Sequence, residues 1–202
     1  IMTQADTLFS RFPPFIREFI YRHNWESLRG VQMAAAQVLF ESEDHLLLTS
    51  GTASGKTEAA FFPILTLLSE RPARGVGVLY VAPLKSLIND QFARMSELLC
   101  ESGIPVTHWH GDVAASQKKK LLADPAGILQ ITPESLESML MNRSNDLVRI
   151  FGDLRFVVLD EIHTLAGTDR GNQVQCQLSR LSRIIGHQPR RVGLSATVGG
   201  NE

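Results

Sequence analysis

The chain has 202 residues, 44% of them hydrophobic and 20% charged, with 20 Lys and Arg against 21 Asp and Glu for a net charge of −1. That composition excludes a disordered chain and leaves enough apolar side chain for one sizeable core, while no apolar run approaches the ~20 residues of a membrane span, so neither a membrane partner nor a signal peptide is expected. A near-neutral balance excludes nucleic-acid binding through the field of the whole molecule, and two cysteines, Cys100 and Cys176, without metal-ligand spacing exclude a disulfide framework and point to a reduced cytoplasmic setting.

In chain order, Ile1 precedes Met2, the expected initiator, and helices are predicted around 14–23 and 29–40. Strands rich in β-branched residues are then predicted at 45–49, 76–82, 106–110, 127–132, 155–160 and 191–195. Helices fall between them at 57–70, 84–102, 114–123, 133–141 and 172–185. Alternation of strand and helix predicts an α/β fold with a parallel sheet covered on both faces, whose ligands sit at the carboxyl ends of the strands. The division expected is residues 1–42 as N-terminal helices and 43–202 as the α/β lobe, forming one domain overall.

Ser50-Gly51-Thr52-Ala53-Ser54-Gly55-Lys56-Thr57 lies between the apolar run Leu46–Leu48 and the helix predicted from Thr57. A loop of small residues lets successive backbone N–H groups face one anion, and the helix start adds its positive dipole end. Thr52, Ala53, Ser54, Gly55, Lys56 and Thr57 are therefore candidates to bind the phosphates of a nucleotide, Lys56 reaching the outer phosphates and Thr57 ligating Mg²⁺. Ser50 and Ala53 stand where a strict glycine-rich loop has Gly, and both remain small.

Downstream, Phe156-Val157-Val158-Leu159 runs directly into Asp160-Glu161-Ile162-His163. Two carboxylates ending a buried apolar strand are unfavourable unless a cation sits with them. Asp160 is the candidate Mg²⁺ residue and Glu161 the candidate base that polarises the attacking water, with Lys56 the third catalytic residue. Thr132 is a good N-cap and Pro133 suits a first helical position, so a helix N-terminus able to hold a phosphate is expected there.

Taken together, these segments resemble the DExH version of the superfamily 2 helicases, and most nearly its large helicase-related (Lhr-like) branch. The resemblance rests on Thr57-Glu58-Ala59-Ala60-Phe61, on 83–91, on Asp160–Gly171, and on Arg191–Gly199 with its Ser195-Ala196-Thr197. It implies a RecA-like first lobe. It implies that Ser195 and Thr197, with His163, couple hydrolysis to strand movement, and that Gln32 reads adenine; Phe15, upstream of it, is the candidate to stack on the ring. It further implies that Pro83, Leu84, Lys85, Gly111, Thr132, Pro133 and Glu134 hold the backbone of DNA or RNA without reading sequence, and that movement runs 3′ to 5′ with DNA or DNA–RNA hybrids favoured. Nothing after Thr197 resembles the family's later motifs, so a second RecA-like lobe of the same polypeptide is the expected partner. Two further readings stay open: a translocating motor that does not unwind, and a nucleotide-regulated nucleic-acid-binding module.

The remaining features are read as structural. Lys118-Lys119-Lys120 is expected to be a solvated helix face, His108 and His110 lack a third ligand for a metal, and Cys176 is expected to pack inside its helix.

Overall fold

Residues 1–23, 30–50, 55–83, 95–111, 113–162 and 166–196 are described by the computed structural model. Six strands form one sheet: β1 (Leu46–Ser50), β2 (Val76–Val81), β3 (Val106–Trp109), β4 (Gly127–Ile131), β5 (Phe156–Leu159) and β6 (Arg190–Ala196). Their order is β1-β6-β5-β2-β4-β3 and every neighbouring pair is parallel. This is the doubly covered α/β sheet that the alternation predicts, and all six strands lie within a residue or two of their expected places.

Successive side chains of a strand point to opposite faces, so each central strand feeds two cores. Val78, Tyr80, Val158, Val192 and Leu194 pack on one face with the N-terminal helices and α4 (Lys56–Glu70). Leu79, Val81, Val157 and Leu159 pack on the other with α6 (Ala115–Ala123), α7 (Pro133–Asn142), α8 (Leu147–Phe151) and α9 (Asp169–Ile185). α4 is apolar nearly all round because it is covered on every side: Ala59, Ala60, Phe61, Phe62, Ile64 and Leu65 are all fully buried.

The N-terminal residues join the first of these cores. α1 (Gln4–Arg11), α2 (Pro14–Arg22) and α3 (Gly30–Glu41) bury Leu8, Phe12, Ile16, Phe19 and Ile20 against it. The Phe12 and Phe19 rings lie 5.8 and 6.0 Å from Phe62 of α4. Each such aromatic withdrawn from water contributes about 1.5–3 kcal/mol. Arg11 closes the arrangement with two 3.1 Å bonds to Glu70.

Several expectations need correction. α1 was not anticipated; Thr3 begins it with a reciprocal capping box to Asp6. A 3₁₀ turn at Ser144–Asp146 and α8 fill the stretch between the helix expected to end at 141 and the strand expected from 155, where no element is predicted. α9 starts at Asp169 and not at 172, because the Thr168 hydroxyl accepts from the Gly171 N–H and caps it there. β3 ends at Trp109, so His110 lies outside the strand. Cys176 is exposed and does not pack, since it sits on the outer side of α9 away from Val174, Leu178 and Leu181. The helix expected over 84–102 is described from Ser96, as α5 (Ser96–Ser102). Lys119 and Lys120 are exposed as expected, whereas Lys118 lies over the Trp109 ring at 5.5 Å.

Candidate functional site

The strand order places the carboxyl ends of β1, β6 and β5 side by side, with Thr49 opposite Ser195 and Leu159 opposite Gly193. The segments expected to bind nucleotide therefore arrive together although they lie more than a hundred residues apart in the chain. Gly55 ends the loop after β1 with φ +75° and caps α4, its carbonyl accepting from the Ala59 N–H at 2.8 Å. A side chain there would stand 3.2 Å from the Gln32 amide nitrogen, so the glycine serves both the turn and a close approach. Gln32 is 1% exposed, with its amide set against the start of α4.

Lys56, the first residue of α4, donates from Nζ to the Ser195 carbonyl at 2.8 Å, joining the helix start to β6. Thr57 is 5% exposed beside it. At the end of β5 the Asp160 N–H donates to the Val81 carbonyl at 2.9 Å, and its two carboxylate oxygens accept from the Tyr80 hydroxyl at 2.6 Å and the Glu161 N–H at 2.8 Å. Burial pushes the Asp160 carboxyl above its ordinary value; the Tyr80 bond opposes this, the Glu161 charge adds to it, and the Lys56 ammonium again opposes it. Tyr80, burdened by burial and by the adjacent carboxylates, ionises only well above the usual phenol range.

Glu161 is the one non-glycine residue among the described residues with positive φ, at 56°. An L-residue in that region costs about 1–2 kcal/mol and persists only where the surroundings impose it. Here the N–H bond to Asp160 and the close of β5 impose it.

The other half of the same sheet edge carries the residues expected to hold a nucleic-acid backbone. Val81 and Trp109 both lie opposite Ile131, so the ends of β2, β4 and β3 are level. Pro83, Thr132 and Gly111 follow these three ends, and the Ala82 N–H bonds the Ile131 carbonyl at 3.1 Å. Thr132 caps α7 by accepting from the Ser135 N–H at 3.2 Å, with Pro133 at the first position. α9 holds that helix start in place. The buried Gln177 amide donates to the Pro133 carbonyl and to Glu137, each at 3.0 Å, while Arg180 pairs with Glu137 and Arg170 with Glu134. Gly111 is exposed, and a side chain there would meet nothing within 4 Å.

Thr52, Ala53, Ser54, Leu84, Lys85, His163 and Thr197 lie outside the described residues. Phe15 is partly buried against the core. Sequence reasoning missed two polar neighbours of the site. Tyr80 reads as one more apolar strand residue, and its contact with Asp160 spans 80 positions. Glu58, 3% exposed in the first turn of α4, sets its carboxylate 3.7 Å from the place a Gly55 side chain would take; an acid in a first helical turn was its available signal.

A family model of the DEAD/DEAH box helicases matches residues 29–202. The chain belongs to that family. Several of its relatives carry Lhr names: a Lhr helicase/probable uracil glycosylase from Mycolicibacterium smegmatis is 34% identical over 209 residues, covering 96% of this chain and 14% of the relative. An ATP-dependent helicase Lhr-Core from Methanothermobacter thermautotrophicus is 29% identical over 213 residues, covering 98% of this chain and 24% of the relative. Among solved structures, that of the Mycobacterium smegmatis helicase Lhr bound to ssDNA and AMP-PNP superposes with a TM-score of 0.78 and 31% identity, over 95% of this chain and 25% of that one. The RecA-like fold expected of the sequence is thus the fold of this DEAD/DEAH box chain, which spans between a seventh and a quarter of these relatives. No helix among the described residues is long and apolar enough to cross a membrane.

Proposed function

We propose that the chain is the ATP-binding first lobe of an ATP-dependent nucleic-acid helicase, residues 1–42 carrying the adenine-reading helix and 43–202 the RecA-like lobe. The observation that carries this is the convergence of Lys56, the Ser195 carbonyl and the Asp160–Glu161 pair at one sheet edge, with Lys56 bonded to β6 at 2.8 Å. In this reading 52–57 cradle the phosphates, Lys56 carries the charge opposite the outer ones, and Gln32 bonds the adenine edge. Glu161 takes the proton of the attacking water. Ser195, with His163 and Thr197, passes the change to the strand-holding half of the edge. The residues fit Mg²⁺: a half-buried carboxylate whose charge burial opposes and a hydroxyl are hard oxygen ligands, and this ion keeps several waters of its own. Asp160 and Thr57 would hold it, and it would neutralise charge on the phosphates. Among the described residues no cluster of three or more metal-ligating side chains offers an alternative.

Pro83, Leu84, Lys85, Gly111, Thr132, Pro133 and Glu134 would hold single-stranded nucleic acid by its backbone, supported by the ssDNA in the Lhr relative. A second lobe of the same polypeptide would supply the opposite wall and the arginine finger, a group worth roughly 10³–10⁵ in rate. The reduced cytoplasmic setting belongs to this reading too, Cys100 and Cys176 both being free thiols.

The test is Glu161→Gln in the full-length polypeptide. Nucleotide affinity should persist while nucleic-acid-stimulated ATP turnover falls by about 10² or more, because shape is kept and only the base is lost. Turnover at the parent rate would assign water activation elsewhere and sink the proposed site.

A further inference from the structure

The opposite end of the sheet holds an open cleft of about 730 Å³ whose lining includes four arginines, Arg71, Arg74, Arg149 and Arg155, and one acid, Asp153. On a chain of net charge −1 this is a concentrated positive patch. Its backbone is pinned. Arg155 donates to the carbonyls of Arg71 and Pro72, and the Arg74 N–H donates to the Asp153 carboxylate at 2.8 Å. Gly75, at φ +82°, passes so near α8 that a side chain would stand 2.7 Å from the Ile150 carbonyl. Arg149 and Arg155 spend their guanidiniums on Asp146, Asp153 and backbone carbonyls.

Arg71 and Arg74 differ. Both are exposed, and no hydrogen bond or ion pair within the distance of one holds either guanidinium among the described residues; Arg71 acts on Asp153 only through its charge. The neighbouring cleft makes the contrast: its Arg11 is paired with Glu70, and its Arg190 is bonded to the carbonyls of Leu39 and Asp44. A rigid loop therefore presents two unspent forks, the geometry that takes phosphate oxygens two at a time. Among the described residues no aromatic ring lines the cleft, so none of them would stack a base, and recognition would stop at the backbone.

We propose that this cleft binds phosphates of the nucleic acid at a second contact, remote from the carboxyl edge of the sheet; the proposal rests on the nucleic-acid-binding reading above. β2 alone separates the two ends by about 20 Å, the axial rise of roughly six base pairs. Only a strand longer than that span can occupy both.

The experiment is fluorescence anisotropy on the full-length polypeptide, comparing parent with Arg71→Ser/Arg74→Ser on oligonucleotides of about four and about thirty nucleotides over a salt series. The double variant should bind the short strand as the parent does and the long one more weakly. Its salt slope for the long strand should fall by roughly 1.4, two single-strand phosphates at about 0.7 each. Arg71→Lys/Arg74→Lys should restore most of that slope, and a melt by circular dichroism should match the parent. If the double variant melts early, Arg74→Ser alone carries the test, with half the change in slope. An unchanged long-strand slope, with short-strand binding intact, overturns the second contact and leaves the proposed function standing. A loss of affinity for a polyglutamate peptide without loss for the long strand assigns the cleft to an acidic protein segment and also overturns it. If the parent binds neither strand, the functional reading fails first and takes this proposal with it.

Discussion

The two ends of the sheet are built from the same strands and solve opposite problems. At the amino end, charged side chains complete the backbone: Arg155 and Arg190 bond five different carbonyls between them, and Asp153 takes the Arg74 N–H. At the carboxyl end the balance is deliberately incomplete, with Asp160 held above its ordinary pKa and Glu161 in the left-handed region. Stability resides at one end and stored strain at the other, as expected where a fold sets aside local optimum for chemistry.

The sharpest way to break that contrast is to add one methyl group at each end. Gly75→Ala forces a side chain to 2.7 Å from a backbone carbonyl at φ +82°, and should destabilise by about 2–4 kcal/mol. Gly111→Ala, with nothing within 4 Å, should leave the unfolding midpoint unchanged. Denaturant melts of the two variants measure both; equal midpoints would erase the distinction.

A smaller effect is expected from Asp153→Asn. Burial acts to raise the Asp153 pKa, but the Arg74 N–H, the Arg155 bond and the charges of Arg155 and Arg71 outweigh it and hold the carboxyl below its usual range. A depressed carboxyl contributes stability above its unfolded pKa and loses it as pH falls through the folded one. Its side chain is 36% exposed, so solvent limits the contribution to about 1 kcal/mol. Melts at pH 7 should separate parent from variant by that amount and converge as the pH falls through and below the ordinary carboxylate range; a gap that persists in acid would assign the effect to packing.

The smallest change has the opposite sign. Glu161→Gly relieves left-handed strain of about 1–2 kcal/mol but adds freedom to the unfolded chain, for a net gain of roughly 0.5 kcal/mol. A variant less stable than its parent would show that Glu161 belongs to the structural end of the comparison after all.

The sequence made the sheet legible because parallel strands are buried on both faces and read as unbroken apolar runs such as Val76–Val81 and Phe156–Leu159. The chemistry at strand ends was legible for the same reason, since polar residues there interrupt those runs abruptly. α8 escaped because its five residues are too few to display a helical period. α1 escaped although Thr3 and Asp6 form a capping box, because only Leu8 of its residues is buried and the apolar stripe is thin. The bond from Tyr80 to Asp160 and those from Arg190 to the carbonyls of Val38, Leu39 and Asp44 escaped because no local pattern encodes a partner that distant.

Tyr80 has a consequence for how this lobe can be watched. The chain has two tyrosines: Tyr21 stands 65% exposed, whereas Tyr80 is 1% exposed, lies 5.9 Å from the Phe61 ring in a stacked arrangement, and donates its phenolic hydrogen bond to Asp160. A phenol bonded to a carboxylate absorbs to the red of one bonded to water, and the band moves back when the acceptor loses its charge. Asp160 thus carries its own chromophore, and whatever neutralises that carboxylate, proton or cation, writes itself into the ultraviolet spectrum of a single residue.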